Sequence, residues 1–389
     1  MKQKITNSYI IKDITPKYYK LKKLLLENIQ NNVYPPNSRL PSEEELMRKY
    51  NITRGTIDRA IHELIREGVI YTIQGKGRFV LPKKQVLEQT NKPFQINNNR
   101  IVFIMVSILD EFYGPILKGV MDVLQPEGYN LEIVNSEGKY MNETKLLSKY
   151  LKEPISGLIF IPSFSENNYK HLFQLQNRGV TIILIDNRIK GYNFNFVGSD
   201  NINGTKDAIS YLIKLGHKQI VFLGRLDHNI NNSSTIERLE GYKQALLENK
   251  IYLNPNLILR DEPQDKKYKN FEERAYIKVK RFLSKNIKFT AIFTANDVLG
   301  AYQALKEKNI KVPNDVSIVT FDDSKICKYF EVPLTAVKQD GYHIGYYSAK
   351  LLLKKIDSKM NKKNRYNDKP EEIILKTKLI IRKSVKKIN

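Results

Sequence analysis

The first eighty residues place apolar side chains at helical spacing, and the rest of the chain alternates short apolar runs with helical stripes. Leu21, Leu24, Leu25, Leu26 and Ile29 form the stripe of a first helix; Pro16 suits its first turn and 34–37 (YPPN) ends it. Ser42 followed by Glu45 is the S-x-x-E pattern of a capping box, so a short second helix starts there, burying Leu46 and Met47. Thr53 is placed to cap a third helix with Ile57, Ala60, Ile61, Leu64 and Ile65 as its buried stripe and Gly68 at its end. A hairpin follows, with strands 69–73 and 78–81 around a 74–77 (QGKG) tip. Three helices and a terminal hairpin predict a winged helix-turn-helix over residues 1–81.

Residues 82–99 are polar and without sustained period, and read as a linker. From residue 100 the pattern predicts strands at 101–106, 131–134, 157–161, 181–185, 220–223, 257–259, 291–293 and 316–320. Helices are predicted at 114–125, 143–151, 167–177, 202–215, 238–248, 272–283 and 298–308. Such alternation argues for doubly wound α/β sheets. Some 290 residues exceed one comfortable core, so residues 100–389 are expected to form two lobes. The fold class is therefore multidomain α/β. Ligands of such sheets bind outside the carboxyl ends of the strands, which puts the polar residues of 107–113, Ser163, 186–188 and 296–297 on a shared cleft. Carboxylates accept from hydroxyls, guanidiniums donate to them and aromatic rings stack on apolar faces, a set that suits a polyhydroxylated ligand. Each of these residues also suits a cap or a surface loop, Asp297 as the cap of the following helix above all.

Charge sharpens the picture at the N-terminus. The net charge is +24, and residues 1–85 hold +9 of it, about twice the density of the remainder. A polyanion partner fits. Residues 351–389, with 13 basic and 4 acidic side chains, read as a solvated helix end and tail. A single cysteine, Cys327, allows no intrachain disulfide. No apolar run approaches the roughly 20 residues of a membrane span, and the first sixteen residues lack a secretory pattern, so a soluble cytoplasmic protein is expected. The five histidines show no metal spacing, and no catalytic elbow, zinc-protease motif or phosphate-binding loop is visible; no cofactor, metal or catalytic residue is expected. Asp322 and Asp323 follow a strand, but adjacent residues on a turn need not converge on one site.

Residues 39–46 (RLPSEEEL), 53–56 (TRGT) and 74–80 (QGKGRFV), in this order and spacing, resemble the GntR family of bacterial regulators. The third helix then enters the major groove, where Arg54 can pair with a guanine and the wing approaches the backbone. The candidate DNA contacts are Ser42, Thr53, Arg54, Gly55, Thr56, Arg59, Gly75, Lys76, Gly77 and Arg78. Asp58 departs from the family, standing where many members carry a basic residue.

A second resemblance, to the LacI/GalR-type effector domain with the fold of periplasmic sugar-binding proteins, covers residues 100–384. It rests on 184–187 (LIDN), 200–204 (DNING), 215–220 (LGHKQI), 237–242 (ERLEGY), 291–297 (AIFTAND), 312–323 (VPNDVSIVTFDD) and 333–340 (PLTAVKQD). It implies Arg238 and Asp297 as effector-holding positions, with Asp110, Phe112, Tyr113, Ser163 and Asp186 as further candidates, and it implies a structural role for both Asp322 and Asp323. Head and body together resemble a family of pentose-responsive repressors, implying double-stranded operator DNA as partner, a homodimer and a sugar effector, L-arabinose foremost. The competing readings are a solute-binding transport component, a sugar-modifying enzyme with a DNA-binding head, a winged helix that binds protein, and an activator or corepressed regulator responding to another sugar or nucleoside.

Overall fold

The computed structural model describes residues 17–35, 37–66, 69–73, 77–80, 99–163, 169–189, 194–226, 232–268, 270–360 and 370–388. The chain divides into two units, Met1–Pro93 and Phe94–Asn389. Pro16, Gly68, the 74–76 tip and the expected linker apart from Asn99 lie outside the described residues.

In the first unit, helices α1 (Lys17–Gln30), α2 (Glu43–Tyr50) and α3 (Arg54–Arg66) precede an antiparallel hairpin of β1 (Ile70–Ile73) and β2 (Gly77–Val80). The capping box forms: the Ser42 hydroxyl accepts from Glu45 N at 3.3 Å, and the Glu45 carboxylate accepts from Ser42 N at 2.7 Å. Asn51 in the left-handed region then turns the chain into α3. Leu21, Leu25, Leu46, Ile57, Ala60, Ile61, Leu64, Ile70 and Val80 close one small core. Leu24, expected in that stripe, is exposed, because the packed line of α1 runs through Leu21 and Leu25. Gly77 cannot be replaced freely: its φ is 110°, and a Cβ would meet the Arg39 guanidinium at 2.8 Å.

The second unit has two six-stranded sheets. The first lobe runs β3 (Arg100–Met105), α4 (Tyr113–Leu124), β4 (Asn130–Asn135), α5 (Tyr140–Tyr150), β5 (Gly157–Phe160), α6 (Tyr169–Asn177), β6 (Thr181–Ile185) and β7 (Asn195–Ser199). The chain then crosses to α7 (Asn201–Lys214), β8 (Ile220–Leu223), α8 (Ser233–Glu248), β9 (Ile258–Leu259), α9 (Phe271–Leu283), β10 (Ala291–Thr294), α10 (Val298–Glu307), β11 (Ser317–Phe321) and β12 (Thr335–Lys338). It returns to the first lobe for α11 (Gly341–Met360) and β13 (Glu372–Leu375), and ends in the second with β14 (Lys378–Ile380). The strand orders are β13-β7-β6-β5-β3-β4 and β14-β12-β11-β10-β8-β9, parallel throughout except for β14 against β12. Helices cover both faces, so β5, β6, β8, β10 and β11 are buried at every position; this is why they appear in the sequence as continuous apolar runs. Helices α4 and α11 touch backbone to backbone, since a Cβ on Gly345 would meet the Ile116 carbonyl oxygen at 1.9 Å.

The basic C-terminal stretch is not a solvated tail. Leu351, Leu352 and Ile356 of α11 are buried in the first lobe, and β13 and β14 add an edge strand to each sheet. Ser384 is fully buried, donating to the Ile318 carbonyl at 2.6 Å and accepting from Thr335 N at 2.8 Å. His217 is buried after the Gly216 turn and bonds Thr290 and the Lys386 carbonyl, tying the same segment down. Helix α8 also starts earlier than its apolar stripe, because Asn232 caps the polar turn 233–235 by accepting from Thr235 N at 3.0 Å.

Candidate functional site

The carboxyl ends of β3, β6, β8, β10 and β11 open on one cavity of about 470 Å³, lined from both lobes. The first lobe supplies Asp110, Phe112 and Tyr113 after β3, and Asp186 and Asn187 after β6. The second supplies Arg225, Arg238, Asn296, Asp297, Phe321, Asp322 and Gln339. Six of the seven effector candidates therefore meet here. Ser163 does not: it is buried, its backbone N and hydroxyl both bond the Glu143 carboxylate, and it is absent from the cavity lining. The expected contact is corrected on that ground; the loop after β5 turns its serine inward to satisfy a buried acid.

Arg238 is 2% exposed. Its Nε donates to Asn201 Oδ1 at 2.9 Å and one Nη to the Ala295 carbonyl at 2.6 Å; Asp322 Oδ2 is 3.9 Å away, and Cζ sits 3.8 Å above the Phe321 ring. The guanidinium is thus fixed before any ligand arrives. Asp297 does not cap α10; its side chain makes no capping bond and instead takes Arg225 bidentately, at 2.8 Å from Nε and 2.5 Å from Nη2. Arg225 stacks 3.8 Å from the Phe271 ring, and its pKa lies above the ordinary arginine value: desolvation opposes that rise, and the attraction of Asp297 outweighs it.

Three cavity carboxylates follow strands with left-handed backbone: Asp186 (φ 63°), Asp297 (58°) and Asp322 (74°). Aspartate tolerates this region better than most residues, at a conformational cost typical of functional sites. Burial pushes the Asp186 carboxyl up to about 6, against the opposing pull of Arg238 and with help from Asp322 and Asp110. Phe112 and Tyr113 lie 5.5 Å apart between ring centroids and give the first lobe an aromatic wall. Gln339 donates to Asp322, and its Oε1, buried, has no hydrogen-bond partner among the described residues.

The lobes also touch directly. Arg188 pairs with Glu237, and its N–H donates to Ser233 Oγ at 2.7 Å. Asn187 Oδ1 accepts from Ser234 N at 3.2 Å, and Glu111 accepts from Lys325 N at 2.8 Å.

Sequence reasoning missed Arg225, Asp322 and Gln339 as lining groups. Arg225 stands just past β8, so the rule that singled out residues after the other strands extends to it. Asp322 and Asp323, both expected to be structural, diverge: Asp323 pairs with Arg382 at 2.7 Å while Asp322 lines the cavity.

On the head, Ser42 serves as the N-cap of α2, Thr53 precedes α3 with its hydroxyl 2.9 Å from that of Thr56, and Arg54 and Gly55 are exposed on the first turn. Arg54 and Arg78 both bind Glu43, at 3.0 and 2.5 Å, which holds the Glu43 pKa down, through Arg78 foremost. Gly77 begins β2. Gly75, Lys76 and the Arg59 side chain lie outside the described residues.

Residues 17–80 match the gntR family of bacterial regulatory proteins, and residues 209–385 match the periplasmic binding protein-like domain. A segment that matches the gntR family is thus followed by one that matches the periplasmic binding protein-like domain. It is 29% identical over 373 residues, 95% of this chain and 96% of the relative, to the arabinose metabolism transcriptional repressor of Halalkalibacterium halodurans. It is 28% identical over 383 residues, 96% and 98% of the two chains, to the protein of the same name from Geobacillus stearothermophilus. A LacI family transcriptional regulator from Enterococcus faecium, solved with bound ribose, shares the fold: TM-score 0.60, 23% identity, covering 75% of this chain and all of that one. Among the described residues, no helix is long and apolar enough to cross a membrane.

Proposed function

We propose that this protein is a cytoplasmic repressor of sugar-utilisation genes that leaves its operator when L-arabinose binds between the lobes of the second unit. The observation that carries this reading is the composition of the cavity. Two fixed guanidiniums, four aspartates, an aromatic wall and Gln339 Oε1, unpartnered among the described residues, offer a small neutral polyol both donors and acceptors. The near end-to-end likeness to two arabinose metabolism repressors favours arabinose over other sugars.

Effector contacts are assigned to Arg238, Asp297, Asp186, Asp110, Phe112 and Tyr113, with Arg225, Asp322 and Gln339 beside them. Contacts to double-stranded DNA are assigned to Ser42, Thr53, Arg54, Gly55, Thr56, Arg59, Gly75, Lys76, Gly77 and Arg78. Two copies of the chain reading two half-sites require a homodimer and a palindromic or near-palindromic operator. A sugar that binds the two DNA-linked states unequally changes operator affinity by its coupling free energy, typically about 1–3 kcal/mol.

A thermal-shift screen with L-arabinose, D-xylose, D-ribose and D-galactose tests the effector. A ligand of the native state raises the melting temperature. L-Arabinose is expected to give the largest rise, and the rise is expected to vanish in Asp297→Ala; no shift with any of the four would overturn the assignment.

A further inference from the structure

Helix α3 carries an acid on the side that a DNA-reading helix turns to its target. Ile57, Ala60, Ile61 and Leu64 are fully buried, leaving Arg54 and Gly55 on the opposite, exposed side of the first turn. Asp58 follows Arg54 by four residues, so the two share a face one turn apart, and Asp58 is only partly buried. Glu43, at the start of α2, links the cluster. It accepts from Arg54 Nε at 3.0 Å and from Arg78 at 2.5 Å.

The head thus presents guanidiniums interleaved with carboxylates. A surface that only gripped phosphates would gain nothing from an acid there, because each carboxylate opposes the polyanion. In the major groove, however, a carboxylate has a good partner: the exocyclic amino group of cytosine N4, as an arginine has guanine O6 and N7. The two contacts are compatible at the spacing of one helical turn. In the free head Arg54 is held by Glu43; on DNA the guanidinium can move to a guanine while Asp58 keeps its place on the helix.

We infer that Asp58 is a specificity-determining residue, accepting from the amino group of a cytosine in a base pair next to the one that Arg54 reads. The inference rests on the DNA-binding reading of the head. Asparagine is nearly isosteric with aspartate but pairs with adenine N6 and N7, so Asp58→Asn should change which base is chosen rather than remove the choice.

The test is binding-site selection from a randomised duplex pool, run with the full chain and with Asp58→Asn and Asp58→Ala. The native chain should enrich cytosine at one position of each half-site, beside a guanine. Asp58→Asn should shift that position to adenine, and Asp58→Ala should lose the preference there, roughly ten-fold, while other positions stay unchanged. Identical base preferences in all three proteins, or a uniform gain in affinity for every sequence in Asp58→Ala, would show an acid that merely repels phosphate and would overturn the inference. Failure of the native chain to enrich any sequence would overturn the DNA-binding reading itself, and this inference with it.

Discussion

Asp186→Asn separates the two demands placed on the cleft. The native carboxyl, held after β6 in the left-handed region, is raised to about 6 by burial, against an ordinary 3.8. The unfolded chain therefore releases this proton near 3.8 and the folded chain only near 6. Between those values the folded state holds more protons, so stability falls as pH rises through the window and levels off above it. The full difference corresponds to about 3 kcal/mol of destabilisation in the empty protein above pH 6, at 1.36 kcal/mol for each tenfold in proton affinity. About half of it is already lost at pH 5. Asparagine has no charge to desolvate and can still accept from Asn187 Nδ2, which donates to the native carboxylate at 3.0 Å. Asp186→Asn is therefore expected to be more stable than the native protein at pH 8 by up to about 3 kcal/mol, with the gap narrowing by about 1.5 kcal/mol at pH 5. A change of 1.5 kcal/mol amounts to roughly 4 °C in the melting temperature of a domain of this size. Thermal melts of both proteins at the two pH values measure it. The same variant should bind sugar more weakly at pH 8, having lost a charged acceptor. A stability gap of equal size at pH 5 and pH 8, or a native protein more stable than the variant at pH 8, would refute the argument that burial of Asp186 opposes folding.

Arg238→Ala should leave operator binding intact but insensitive to sugar, as read by DNA binding with and without L-arabinose. It should also lower stability by about 3 kcal/mol, since Asn201 and the Ala295 carbonyl lose a buried partner. Arg54→Ala should weaken operator binding about ten-fold or more while leaving the sugar-induced thermal shift unchanged, which gel-shift titration and melting curves report together. Gly345→Ala should destabilise the first lobe by at least 2 kcal/mol in denaturant unfolding, because its Cβ has no room against the Ile116 backbone.

Much of this architecture is legible in the sequence because parallel sheets bury both faces: β5, β6, β8, β10 and β11 stand out as short apolar runs. The strands that escaped are edge or crossover elements. β13 (EIIL) alternates exposed and half-buried residues and β14 (KLI) is three residues long, so their short apolar runs sit among the basic side chains of 351–389, which read as a tail. The cleft was legible to the extent that residues after strands line it. Burial decided the rest: Ser163 follows a strand as well, but a buried glutamate claims it, while Gln339 reaches the cavity from within 333–340, a motif that does not itself say which of its side chains faces a ligand. The long-range pairing of Arg225 with Asp297 has no local signature, being 72 residues apart in the chain.

The central claim is that one sugar, bound in this cleft, releases the protein from DNA. The most direct measurement is fluorescence anisotropy of a labelled duplex carrying the selected site, bound by the full chain and titrated with L-arabinose, with D-galactose as control. The account predicts that L-arabinose lowers the anisotropy to that of free DNA, that D-galactose does not, and that the Arg238→Ala complex ignores both. A native complex that is unmoved or tightened by L-arabinose would contradict it.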